Sequence, residues 1–231
     1  MRRATQAIAS AAFLFSTAAA PALTMDPNNP TCPKAMNWST YREMKFTPET
    51  VDGQLVLKAE GVIDDGVPQR LQEALKANAV REIWIRSPGG NARAGNAAGK
   101  IIRAAMIPTR IPQGWACFSA CNFMFMGGPI RYVDPGGVFA VHMFTHLGDK
   151  EAVREEVKDA DSAIGLIGDV EQDSALLASE DNDFLIRMGV SRKLLTDVMY
   201  QQKAIADGRD KSTRRCLTAE ETMKYNVANA Q

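Results

Sequence analysis

Three phrases between Ser87 and His142 decide how this chain reads: Ser87-Pro88-Gly89-Gly90, directly after Ile83-Trp84-Ile85; Trp115-Ala116-Cys117-Phe118-Ser119-Ala120-Cys121; and Val138-Phe139-Ala140-Val141-His142. An apolar run without polar alternation predicts a strand covered on both faces, and Pro-Gly-Gly stops it. Gly89 and Gly90 reach backbone angles closed to other residues, so an N–H can turn inward there. Ser119 is predicted where a turn becomes a helix. The N–H groups that follow have no intrahelical acceptor, and the helix dipole favours negative charge beside them. His142, one of only two histidines, ends a buried strand. Hydroxyl, imidazole and two backbone donors are the parts of an acyl-transfer site: Ser119 is expected to attack, His142 to serve as base, and the amide of Ala120 with one from the Gly89-Gly90 turn to hold the oxyanion. Each also has a plainer reading, as N-cap, turn and packed histidine.

Outward from this stretch, strand composition over Leu55 to Ile63 and Arg81 to Arg86 alternates with helical spacing over Val67 to Ala79 and Ala94 to Met106. In the second helix Ala97, Ile101, Ile102 and Ala105 are expected to face inward. Further strands are expected at Thr109-Arg110-Ile111, Arg131-Tyr132-Val133 and Val138 to Phe144, with a short helix over Ser119 to Met126. Residues 23–50 read as an irregular lead-in. A charged helical stretch runs from Lys150 to about Met188, with Val153, Val157, Ile164, Ile167, Leu176 and Leu177 as its apolar set. Ser191 caps a helix through Tyr200. Ala204 to Arg215 reads as loop, Thr218 to Glu221 as a capping box, and Val227 to the end as a last strand. Alternating strands and helices argue an α/β fold.

The chain has 231 residues, enough for one domain with a substantial core; 45% are hydrophobic and 23% charged, an ordinary globular composition. Twenty-seven basic residues balance 27 acidic ones, so nothing points to nucleic acid or an anionic membrane. Arg2-Arg3, the apolar run to Ala20 and Ala20-Pro21-Ala22 read as a signal peptide over residues 1–22, cut after Ala22. A periplasmic or secreted protein with no stable membrane span is expected. In an oxidising compartment the four cysteines suggest disulfides. Cys117 and Cys121 can bridge across one turn, leaving Cys32 to Cys216; joining either terminal cysteine to the serine turn is the other arrangement. No CxxC pair exists, and His142 and His146 lack the acidic residue of an HExxH site, so no metal is expected.

The three phrases, in this order, resemble the Clp protease proteolytic subunit and the crotonase-like superfamily, closest to exported Clp-like proteins. The resemblance covers about residues 55–145, and 215–230 more weakly. It implies a spiral of β-β-α units over 51–231, with a projecting helical arm over about 150–202. It also implies a peptide or protein substrate, possible assembly into a homo-oligomer, and no cofactor. On this resemblance Gly90 and Ala120 are the oxyanion donors, Ser119 the nucleophile and His142 the base. The chain departs from the pattern at Arg214, which stands three residues before Leu217 where the family has its triad aspartate. Guanidinium only donates hydrogen bonds and cannot orient an imidazole as an acceptor would. Asp207 or Asp210 can substitute, a backbone carbonyl can orient a Ser–His dyad, Lys203 or Lys211 can enter a Ser–Lys variant, or activity is lost. The expected function is therefore an exported serine hydrolase, foremost a peptidase, or else a catalytically impaired Clp-like binding or scaffold protein. A CoA-using lyase is set aside because CoA is not expected outside the cytoplasm.

Overall fold

A computed structural model describes residues 24–143, 150–206 and 210–231. The segment read as a signal peptide lies outside the described residues, as do His146 and Asp207. Two strands open the chain, β1 (Met25–Asp26) and β2 (Asn29–Pro33). The core follows as repeated strand–strand–helix units. In each, one strand joins a larger sheet and a second strand or bridge joins a smaller one.

The five-stranded sheet contains β3 (Lys45–Val51), β4 (Gln54–Glu60), β5 (Glu82–Arg86), β6 (Thr109–Ile111) and β8 (Arg131–Val133), in that spatial order. Only the β3–β4 hairpin is antiparallel. The second sheet is ordered β12 (Arg214–Cys216), β9 (Val138–His142), β7 (Ala116–Phe118). Bridges Ile63–Gly90 and Ser87–Cys117 extend this second layer. The helices between are α1 (Val67–Ala77), α2 (Ala92–Ala105) and α3 (Cys121–Met126). The architecture is thus the α/β spiral expected. After β9 come α4 (Lys150–Glu156) and α5 (Ala160–Met188). A π turn (Leu194–Val198), a 3-10 turn (Met199–Gln201) and the hairpin β10 (Ala204–Ala206)–β11 (Asp210–Ser212) lead to β12 and α6 (Ala219–Lys224).

Packing explains these choices. In β5, Ile83 and Ile85 are fully buried while Glu82, Trp84 and Arg86 are half-buried. The two faces are therefore unequal, because Trp84 meets the edge of Trp115 and the Arg86 guanidinium lies over the same indole. Helix α2 starts on an Asn91 side chain that accepts from the Ala94 N–H at 2.9 Å. Its buried stripe is Ala94, Ala98 and Ile102, and Ala105 is exposed. The inward face is rotated by about one residue from the one expected, because α2 presses its smallest residues on α3. A side chain on Gly95 would meet the Ala120 carbonyl oxygen at 2.4 Å.

Residues 23–50 are not wholly irregular. β3 is an edge strand, which tolerates Pro48 where a central strand would not. The stretch expected as loop before Cys216 pairs as strands, the helix after Ser191 is π and 3-10 rather than α, and the final strand reduces to one bridge, Tyr132–Ala230. On α5 a reciprocal Asp159–Ser162 capping box starts the helix, yet only its last third is buried, through Asp181, Phe184, Leu185 and Met188. The rest projects as an arm, with Val153 of α4 and with Ile164, Ile167 and Leu176 of α5 exposed. No described helix is long and apolar enough to cross a membrane.

One buried cation ties down the C-terminus. Arg131 is 1% exposed and donates at 2.7 Å to the carbonyls of Val227, Gly128 and Asn226. Burial first, and Arg103 second, pull its pKa to about 10. It stays charged at neutral pH, solvated by carbonyl dipoles.

Candidate active site

The glycine turn and the serine turn touch. The Ser87 hydroxyl accepts the Gly89 N–H at 3.0 Å, and the Phe118 N–H donates to the Ser87 carbonyl at 3.1 Å. Gly89 has φ +93°, and a Cβ there would lie 2.7 Å from both the Phe118 oxygen and the Ser119 Cβ. Gly90, at φ +143°, is seated by Ile63, whose N–H donates to the Gly89 carbonyl at 2.8 Å and whose carbonyl accepts from Asn91 at 2.7 Å. The amides of Gly90 and Ala120 donate to no acceptor among the described residues.

Ser119 itself has φ +58°, a left-handed conformation uncommon for a residue with a side chain. Such strain persists where the surroundings over-determine it. Here Cys117 and Cys121 are joined by a disulfide across the turn, and the Asn122 N–H donates to the Ser119 carbonyl at 2.9 Å. The other disulfide is Cys32–Cys216. Of the pairings left open by the sequence, the structure therefore has the local bridge and the end-to-end one.

Strand β9 carries His142 to the same place. Its Nε2 lies 2.7 Å from the Ser119 Oγ. The Phe118 ring packs against the imidazole, centroids 4.6 Å apart. In the antiparallel β12–β9 register Arg214 stands directly opposite His142. The half-buried Arg214 guanidinium packs over Phe118 and Trp38, at 5.0 and 5.2 Å from their ring centroids. Desolvation lowers its pKa. The residue opposite His142 is thus a cation that stacks on aromatic rings. Asp210 begins β11, and Lys203 is exposed. No group of acidic, histidine or cysteine side chains that could hold a metal occurs among the described residues.

Ser119, His142, Gly90 and Ala120 open on a cavity of about 420 Å³. Its apolar wall includes Phe123, Met126, Leu177, Leu185, Leu195 and Met199, and Arg93, Asp173 and Asp181 line it besides the histidine. A serine oxygen in contact with an imidazole, beside two outward amides and an apolar recess, can attack a carbonyl carbon and stabilise the resulting oxyanion. Sequence reasoning passed over the cavity wall. Asp181 sits in the run Glu180-Asp181-Asn182-Asp183, which reads as a solvated helix face, and no local signal marks it.

Among solved structures the chain is similar to a point variant of ClpP1 from Listeria monocytogenes, with a TM-score of 0.49 and 15% identity over 75% of this chain and 88% of that one. It is also similar to a point variant of the 1510-N membrane-bound stomatin-specific protease, with a TM-score of 0.46 and 15% identity over 75% of each chain. No protein-family model and no curated protein matches the chain. At such identity the likeness concerns the path of the backbone and leaves the chemistry to the distances within this chain.

Proposed function

We propose that this protein is an exported serine hydrolase that cleaves peptide bonds. The observation that carries this reading is the 2.7 Å contact between Ser119 Oγ and His142 Nε2. His142 Nε2 takes the Ser119 proton as Oγ attacks the substrate carbonyl, and the carbonyl electron pair becomes an oxyanion. The N–H groups of Gly90 and Ala120 donate to it; one such donor contributes about 10²–10³ in rate. Collapse breaks the C–N bond, and His142 returns the proton to the leaving amine. Water then attacks the acyl carbon, giving a proton to His142; the acyl–Oγ bond breaks, and His142 returns that proton to Ser119 as the acid product leaves. Two disulfides support export to an oxidising compartment. Exposed Ile164, Ile167 and Leu176 support contact between copies along the arm.

The test is fluorophosphonate labelling of the purified protein beside Ser119→Ala and His142→Ala. The unaltered protein should label, and both variants should lose it. Labelling that survives Ser119→Ala removes that residue as nucleophile. A second reading, a binding or scaffold protein without turnover, is favoured by Arg214 opposite His142 in place of an acid; a folded protein that never labels would establish it.

A further inference from the structure

The wall of the cavity beside Ser119 contains a carboxyl group that the hydrolytic steps do not use. Asp181 is 7% exposed and lines the cavity, and it has no hydrogen-bond or ion-pair partner among the described residues. Its two oxygens are not among the side-chain atoms sealed from solvent without a partner, so they face the recess rather than closed protein. A buried carboxyl normally has a donor or a cation, since burial without one is costly. Here no described residue supplies it.

The neighbours describe what would. Asp173, Leu177, Asp181 and Leu185 follow one another at i, i+4 spacing, so one ridge of α5 alternates carboxyl and hydrocarbon along the cavity. Phe123, Met126 and Leu195 add apolar surface. Arg93, the one arginine or lysine among the described wall residues, is exposed on the first turn of α2 and makes no salt bridge to Asp173 or Asp181. The fitting ligand has a hydrocarbon stem for the leucines and a cationic end for the acid.

The geometry points to Asp181 as the specificity residue of the cavity, selecting a peptide side chain with a flexible apolar stem and a terminal cation, lysine or arginine. This rests on the hydrolase reading for its place in a reaction. Consistent with a missing partner, burial first and Glu180 second raise the Asp181 pKa to about 7, and a bound cation returns the carboxyl to its charged form.

Titration calorimetry with three blocked tripeptide amides, ending in lysine, norleucine or glutamine, tests this. The unaltered protein should bind the lysine peptide about tenfold more tightly than the norleucine peptide, the worth of one charge-assisted hydrogen bond. Asp181→Asn should erase that advantage and leave norleucine binding within about twofold. Leu177→Lys, which sets a fixed ammonium one helical turn from Asp181, should erase it as well. Equal binding of the three peptides by the unaltered protein overturns the assignment, as does a lysine preference that survives Asp181→Asn. Tightest binding of the glutamine peptide also overturns it, in favour of a neutral, donating acid. The same titrations repeated in the Ser119→Ala background read binding without turnover, so their failure is distinct from an absence of fluorophosphonate labelling. A lysine preference without labelling keeps the assignment and removes only the hydrolase.

Discussion

An acid kept in a recess without a partner should cost stability, and Asp181→Asn measures that cost in the empty protein. The substitution keeps shape and removes ionisation. Raising a carboxyl from 3.8 to about 7 corresponds to about 4 kcal/mol, at about 1.4 kcal/mol per pKa unit. Water in the cavity screens part of this, so Asp181→Asn should gain about 2 kcal/mol at pH 8. For a domain of this size that is about 4–8 °C in Tm. The sign follows from proton counts. Between about pH 4 and pH 7 the unfolded carboxyl loses its proton while the folded one keeps it. The native state then binds more protons, and stability falls as pH rises. The gap between variant and unaltered protein should therefore open across that window and stay constant above it. The assay is thermal unfolding at pH 4.5 and pH 8, disulfides intact and no peptide present. A variant no more stable than the unaltered protein at pH 8, or one whose gain is as large at pH 4.5, would refute the reasoning.

Other expectations are read at the site and the core. Gly89→Ala puts a methyl group 2.7 Å from the Ser119 Cβ, so fluorophosphonate labelling should fall more than about tenfold; Gly114→Ala, at φ +75° in open space, should leave labelling alone. Phe118→Leu keeps an apolar side chain but removes the ring against His142, and the labelling rate should drop about tenfold with unchanged far-UV circular dichroism; an unaltered rate would show that the ring does not position the imidazole. Arg131→Met leaves the carbonyls of Val227 and Asn226 without their donor and that of Gly128 with Arg103 alone and should cost about 3–5 kcal/mol in urea unfolding; a loss below about 1 kcal/mol would mean that these carbonyls find other donors.

The glycine turn, the serine turn and the histidine strand were legible because each depends on local chemistry: φ freedom at Gly89 and Gly90, a helix mouth at Ser119, an apolar run before His142. The Cys117–Cys121 bridge was legible as one of two arrangements, since four residues apart is a reach the sequence states directly. Other features depend on what lies across from them. Residues 23–50 read as an irregular lead-in, and only a place at the sheet edge, where Pro48 is tolerated, makes Lys45–Val51 a strand. In α2, hydropathy favoured Ile101, whereas close packing on Ala120 selects small residues one position round. Asp181 carries no mark in sequence because it stands on a helix that reads as polar, and the cavity it lines takes its other walls, such as Phe123 of α3 and Leu195 of the π turn, from elsewhere in the chain.

The Cys32–Cys216 bond spans 184 residues and fastens the segment before β3 to β12. Between those two cysteines the chain is a covalent ring. Closing a loop that long is worth about 5 kcal/mol of denatured-chain entropy. A single cut anywhere inside it leaves both fragments in one particle until a reductant arrives. Electrophoresis without thiol would show such nicked molecules as whole. New chain ends cut into an exposed loop, with the old ends linked, would preserve the same closed path.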